Sequence, residues 1–384
     1  MMAHRIVIGM LYALTGLTPA IVHADAWTPT SSSTPFFGIN TMTADPGCVS
    51  VPADCLMYAG TLSSGVLKSS DHGATWTSAN DANIAAQNVL DIAVDSIPAT
   101  HLIFAGTNGI GVFKASEGTN AWAAANGTGA GALGSLMVHS IAVDSGGNVW
   151  VGTDFGGYVT TAADSGATTW TLFTPTTAPI TAVAVRGTLD VYVGTGTGSV
   201  LVSHNGGTTW STILNAGSSI SALEVDQVTG ELFVGTASGD IYRSAGGVLM
   251  LADATGGLVN QFAFDASFSD VYATSFGVGV FKSLDGGLNW SNVSQGISGL
   301  GIDGVVVDPS DPQIVLAGST SPIVPGNPQQ ATIFRTVTGG EAAATTVPEP
   351  ATLALLVIGL AGLGLRRRCD VWHPGHESNV RPAP

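Results

Sequence analysis

Charge is scarce in this sequence. Asp, Glu, Lys and Arg together make up about 10% of its 384 residues. So little helix-favouring charge argues against a fold built on exposed helices. Basic residues are scarcer still. Between residues 27 and 345 only Lys68, Lys114, Arg186, Arg243, Lys282 and Arg335 oppose 23 acidic residues, a net of −17. A surface of that sign repels phosphate backbones, which excludes nucleic acid as a partner. The chain also lacks a nucleophile triad, a phosphate-binding glycine loop and any His/Cys metal constellation, so no cofactor is expected.

What the chain has in quantity is glycine, 51 residues of it, spaced as in short strands joined by turns. An apolar-small-Gly-Thr landmark recurs as YAGT (58–61), FAGT (104–107), WVGT (150–153), YVGT (192–195) and FVGT (233–236). It returns in altered form as YATS (272–275) and LAGS (316–319), and the copies stand about 39 to 46 residues apart. Before each copy lies an apolar or alternating segment, such as VLDIAVDS (89–96) or ISALEVDQ (220–227), and after each a third, such as GVFKASE (111–117). A fourth, Trp-led segment follows an acidic turn. Four antiparallel strands in about 40 residues are the dimensions of a propeller blade. The expected fold is therefore all-β, a seven-bladed β-propeller of four-stranded antiparallel blades over residues 27–340.

The last unit ends at TIFRTVTGG (331–339) without its Trp-led strand, while AWTPTSSS (26–33) resembles the WTSAN and WSTIL segments that follow the other turns. The N-terminal strand is thus expected to complete the last blade and cover its edge.

Four acidic turns are near copies: SSDHGATW (69–76), AADSGATTW (162–170), SHNGGTTW (203–210) and SLDGGLNW (283–290). They resemble the Asp-box, or BNR repeat. Asp71, Asp164, Asn205 and Asp285 are placed to accept hydrogen bonds from their own turns. Gly73, Gly166, Gly207 and Gly287 supply positions where positive φ costs little. Trp76, Trp170, Trp210 and Trp290 are expected to pin each turn to its blade. Asp-box propellers include sialidases, xyloglucan-degrading glycosidases, sortilin-like receptors and photosystem assembly factors, so the resemblance is specific for fold and poor for function.

A sialidase gathers arginines around the sugar carboxylate, but Arg186, Arg243 and Arg335 map to strand ends and not to a common mouth. A glycosidase needs two carboxylates across a cleft. Asp154 and Asp240, on the hairpins between second and third strands, are candidates, with Asp91 and Asp303 near the starts of inner strands. Phe155 and Phe276 could stack on a sugar. The hairpins themselves are short, and these acids read more simply as solvated turn residues. The longer loop STSPIVPGNPQQA (319–331) is the remaining candidate for a partner contact.

Both ends carry addresses. Residues 1–26 read as a secretory signal: His4 and Arg5, an apolar run from Ile6 to Leu17, and small residues permitting cleavage after Ala24 or Ala26. Cys48 and Cys55, seven apart in a chain sent to an oxidising compartment, are expected to form a disulfide. After a linker (341–347), Pro348-Glu349-Pro350 leads into an apolar run from Ala351 to Leu365 and then Arg366-Arg367-Arg368. This segment, 348–368, resembles the PEP-CTERM sorting signal of exported proteins in Gram-negative bacteria. The resemblance implies recognition by an exosortase-type membrane enzyme, often beside exopolysaccharide production, and transient anchoring of a short transmembrane helix in the inner membrane, its arginines on the cytoplasmic side. Residues 369–384 run on past the point where such tails stop. Cys369, His373 and His376 there need no metal role.

The functional expectation is an exported, non-catalytic binding or scaffolding propeller of the cell envelope or extracellular matrix, with a polysaccharide or an envelope protein as partner. A glycosidase-like propeller and an assembly factor clamping a protein are the alternatives.

Overall fold

The Gly-Thr landmark has a packing cause. A Cβ added to Gly60, Gly106, Gly152, Gly194, Gly235 or Gly318 would come within 2.9 Å of the Val or Ile that opens the neighbouring blade's inner strand. Only hydrogen fits there. The threonine that follows closes the next hairpin: Thr61, Thr107 and Thr153 donate through Oγ1 to the carbonyls of Gly65, Gly111 and Gly156 at 2.9, 2.6 and 2.8 Å. Thr274 stands where the other blades have glycine, and its hydroxyl donates across the blade boundary to the Asp303 carbonyl at 2.9 Å.

These units assemble into seven sheets. The computed structural model describes residues 27–340 apart from 34, 50–54, 96, 98–100, 161–168, 174–175, 246, 266, 268 and 321–331. The inner strands of blades 1 to 7 are Ile39–Ala44, Val89–Val94, Val138–Val143, Ile180–Arg186, Ile220–Val225, Val259–Phe264 and Ile302–Asp308. Each pairs antiparallel with a second strand that ends on the landmark, then a third and an outer strand follow. Among the described residues the helical content is two short 3-10 turns, Pro46–Val49 and Gly129–Gly131.

Blade 7 closes as the end of the repeat predicts. Thr28–Pro29 pairs antiparallel with Ile333–Thr336, Thr28 opposite Arg335, so chain start and chain end share one sheet. The next residues do something the sequence does not announce. Ser31–Ser32 pairs parallel with Thr75–Ser78, giving blade 1 a fifth strand and tying it to blade 7. Apolar clusters lie between neighbouring blades: Met42, Met57 and Trp76 of blade 1 pack with Val306, Leu316 and Ile333 of blade 7.

Cys48 and Cys55 are joined as a disulfide with their Cα atoms 4.6 Å apart, in the loop that connects the first two strands of blade 1. The leader, the linker, the segment 348–368, the tail, Asp164, Gly166 and most of the loop 319–331 lie outside the described residues. Among the described residues no helix is long and apolar enough to cross a membrane.

Candidate functional site

Every inner strand breaks register just after its first residue, as between Ile39 and Thr41, Val89 and Asp91, or Ile302 and Gly304. A bulge frees one residue from the ladder and re-aims its side chain. The freed residues form a ring around the axial channel: Asn40, His139, Thr181, Ser221, Asn260 and Asp303, with Leu90 as the apolar exception. Several reach to the next blade. Asn40 Nδ2 donates to the Val89 carbonyl at 2.8 Å, Thr181 Oγ1 to Ile220 and Ser221 Oγ to Val259 at 2.5 Å each, and Asn260 Nδ2 to the Asp303 carboxylate.

One residue deeper, a second belt joins blades. Asp91 accepts from the backbone of Ile92 and of Ile141, in blade 3, at 2.9 Å, and from Thr41 of blade 1 at 3.2 Å. Gln261 accepts from Val305 of blade 7 and brackets Met42 of blade 1, receiving its N–H at 3.2 Å and donating to its carbonyl at 2.7 Å. Gly304 lets blade 7 come close to blade 1 here, since a Cβ on it would lie 2.7 Å from Met42 Cγ.

The channel space is about 700 Å³, and among the described residues no Lys or Arg lines it. Its charge is carried by Asp91, Glu224 and Asp303. Burial pushes Asp91 and Asp303 up to about 6. Burial, and then the negative charge of Asp91, push Glu224 up to about 8. Glu224 escapes sequence reasoning because ISALEV has the same pattern as its neighbours. Its counterparts in blades 2, 3, 4 and 6 are Ala93, Ala142, Ala184 and Ala263, a contrast visible only once the strands are aligned by register.

The other candidate acids are occupied. Asp154 Oδ1 lies 2.8 Å from His139 Nε2, and Asp240 accepts from Ser238 Oγ at 2.7 Å. The arginines stand apart: Arg186 is near Asp190 at 3.7 Å, Arg243 pairs with Glu231, and Arg335 Nε donates to the His72 carbonyl at 3.0 Å. Cys55, His72 and Asp308 converge, but Cys55 is bonded to Cys48 and offers no thiolate.

The acidic turns share one hydrogen-bond pattern. Ser69 Oγ donates to Asp71 and accepts from Gly73 N at 3.0 Å, Thr75 N donates to Asp71 Oδ1 at 2.9 Å, and Trp76 Nε1 donates to the Gly73 carbonyl at 3.1 Å. The same bonds recur at Ser203, Asn205, Gly207 and Trp210, and at Ser283, Asp285, Gly287 and Trp290. Gly73, Gly207 and Gly287 have φ of 75°, 79° and 88°. Trp170 sends its indole N–H elsewhere, to the Ala125 carbonyl of blade 2 at 2.8 Å.

Outside the described residues, 346–368 match the PEP-CTERM protein-sorting motif. The chain carries a C-terminal sorting signal of exported proteins. Together with the PEP-CTERM motif, residues 132–155 match the two component regulator propeller family, a stretch that holds the first hairpin of blade 3 with Asp154 and Phe155. No curated protein matches the chain in sequence. Solved structures match it in fold. YCF48 bound to D1 peptide is 14% identical over 85% of this chain and 99% of that one, with a TM-score of 0.61. The GH74 xyloglucanase of Xanthomonas campestris is 16% identical over 79% of this chain and 55% of that one, at 0.57. The extracellular domain of BT4673 from B. thetaiotaomicron is 13% identical over 81% of this chain and 40% of that one, at 0.59. The chain therefore spans about half of the second protein and less of the third. At such identities the likeness is one of fold.

Proposed function

We propose that this is an exported propeller, sorted by an exosortase-type membrane enzyme, that acts at the cell envelope or in the extracellular matrix as a non-catalytic binding module. Residues 1–26 serve as its leader, 27–340 as its working domain, 341–347 as a linker and 348–368 as a temporary anchor. The acidic turns are architectural: at 69–76, 203–210 and 283–290 the Ser, the Asp or Asn, the Gly and the Trp of the motif are bonded within their own turn. The ligand face is the bulged mouth of the axial channel.

The observation that carries the non-catalytic reading is that, of the five described carboxylates at this end of the channel, four are engaged and Glu224 is left without a second free carboxylate to work with. Asp91 and Asp303 hold blades together, and Asp154 and Asp240 are bonded to neighbours on the same rim. A glycosidase requires two carboxylates free to meet a sugar across a cleft. Here the bordering hairpins are too short to raise one.

The test is to incubate the secreted protein with a panel of bacterial and plant polysaccharides and with envelope extract. Retained ligand and released reducing ends are recorded together. Retention without release is expected, and release of reducing ends would replace this reading with a glycosidase. Immunodetection in cells with and without an exosortase-type enzyme checks the address: the tail is expected to be shed only in the former.

A further inference from the structure

The channel mouth carries an apolar collar. Phe276, which lines the channel, is 46% exposed, Phe155 is 67% exposed, and Phe37, Leu62 and Leu136 are exposed on other blades of the same face. Their placement follows from backbone bonds. Leu62 N donates to the carbonyls of Phe37 and Gly38, the Leu136 carbonyl accepts from Gly109 and Gly111, and Phe276 N donates to the Leu258 carbonyl. All five therefore sit on the hairpins between second and third strands or on the segments that lead into inner strands. That is the bulged end of the channel, and exposed apolar side chains on that face make it a contact surface.

Inside the collar the polarity has one sign. Asp303 lies at the level of the bulges, Asp91 one residue deeper and Glu224 two further, without a cationic side chain among the described lining residues. Asp91 and Asp303 are held by donors from neighbouring blades. Glu224 is not: the group that favours its charge is the backbone N–H of its own neighbour Val225, and its charged neighbour is Asp91. His139, which also lines this space, is paired with Asp154 on the adjoining hairpin at 2.8 Å. An acidic well inside an apolar collar is complementary to a cation carried on an apolar ligand.

We infer that the mouth docks an extended peptide segment of a partner protein, with a Lys or Arg side chain of that segment entering the channel between Asp91 and Glu224. This rests on the binding-module reading above and names its ligand. A peptide suits the collar better than a polysaccharide. Phe155 and Phe276 offer flat faces to a sugar as well as to a peptide, but a neutral sugar brings no counter-charge to Asp91, Glu224 and Asp303. Ionisation of the channel's carboxylates adds a signature: the cation is held more tightly as pH rises through the range in which Asp91, Asp303 and then Glu224 lose their protons.

The full chain in detergent, presented with an array of short peptides, tests this. Each peptide carries one central lysine between apolar residues and is paired with a twin in which norleucine replaces lysine. The expected result is a set of lysine peptides retained at least about tenfold better than their twins, with the preference growing from pH 6 to pH 8.5. Glu224→Gln removes the preference, and Phe155→Ala, on an exposed hairpin where folding is not at stake, weakens lysine peptides and twins alike. Equal retention of the twins, or a lysine preference that survives Glu224→Gln, overturns the cation. Retention of no peptide overturns the inference, and if a polysaccharide is then retained the binding-module reading survives it. Release of sugar instead overturns that reading itself.

Discussion

Trp27 donates its indole N–H to the carbonyl of Val293, 2.7 Å away and 266 residues later in the chain. Its ring is 5% exposed and lies against Gly340, where an added Cβ would meet it at 3.4 Å. The first residue of the ring is thus packed between blade 6 and the end of blade 7. Trp27→Ala removes the buried ring and its hydrogen bond together, which is expected to cost about 3–5 kcal/mol. Urea denaturation followed by tryptophan fluorescence measures it. If closure depends on this strand, the same variant also unfolds faster, since the ring then opens at its seam.

Gly194 makes one of the tightest of the ordinary blade contacts, with a Cβ there reaching 2.4 Å from Ile220 Cγ2. Gly194→Ala must push two sheets apart and is expected to cost about 1–3 kcal/mol. Gly187→Ala is the control, because nothing lies within 4 Å of its Cβ position and only its φ of 59° opposes the change. The expected cost there is the left-handed penalty of about 1–2 kcal/mol. Denaturation midpoints of double variants distinguish the two: adding Ile220→Ala removes the Cγ2 contact at 2.4 Å and leaves the Cβ at 2.7 Å, so that pair costs somewhat less than the sum of its parts, while the Gly187→Ala penalty is untouched.

Much of this architecture is legible in the sequence because repetition multiplies a weak signal. One YVGT is a short apolar run, whereas seven at near-constant spacing define the second strand of every blade, and the missing last strand points to Trp27. The fifth strand of blade 1 is not legible: Ser31–Ser32 carries no apolar or β-branched signal, and its pairing depends on where Trp27 is already held. The channel is the larger omission. A bulge at the second residue of each inner strand resets the alternation of side chains. The facing of Asp91 and Glu224 therefore depends on a backbone irregularity that no pattern of apolar residues encodes. Asp91 and Asp303 read as solvated acids near strand starts, and in the fold they tie blades together.

Those channel carboxylates set how stability varies above neutral acidity. Glu224 is raised from 4.5 to about 8, and Asp91 and Asp303 from 3.8 to about 6. Within these windows the folded state holds more protons than the unfolded chain, so stability falls as pH rises. The melting temperature is expected to decline from pH 4.5 to 8. Glu224→Gln, which keeps the shape and removes the ionisable group, flattens the upper part of that decline. A wild-type melting temperature that stays level from pH 6 to 8 would mean that solvent in the channel satisfies Glu224 fully.

The acidic turns act with the opposite sign. Hydrogen bonds from the Asn289 side chain and backbone, outweighing a modest desolvation, hold Asp285 down to about 2, and Asp71 is also lowered because bonds from Thr75 and Ser69 outweigh its desolvation. A carboxylate depressed on folding contributes stability above its ordinary value of 3.8, and that contribution is lost as pH falls through the folded one. Asp285→Ala is therefore expected to lower stability at pH 7 by about 1 kcal/mol, as for a lost turn or cap bond, and to leave the difference from wild type smaller at pH 2. Asn205 already supplies the comparison within the chain, since it makes the corresponding bonds to Thr209 without a charge. Asn205→Ala should thus lose a similar amount at pH 7 with no such convergence in acid. Neither substitution is expected to change ligand retention, because both turns lie at the far ends of their third strands from the bulged mouth. A loss of retention in Asp285→Ala with the melting temperature intact would move the ligand face to the turns.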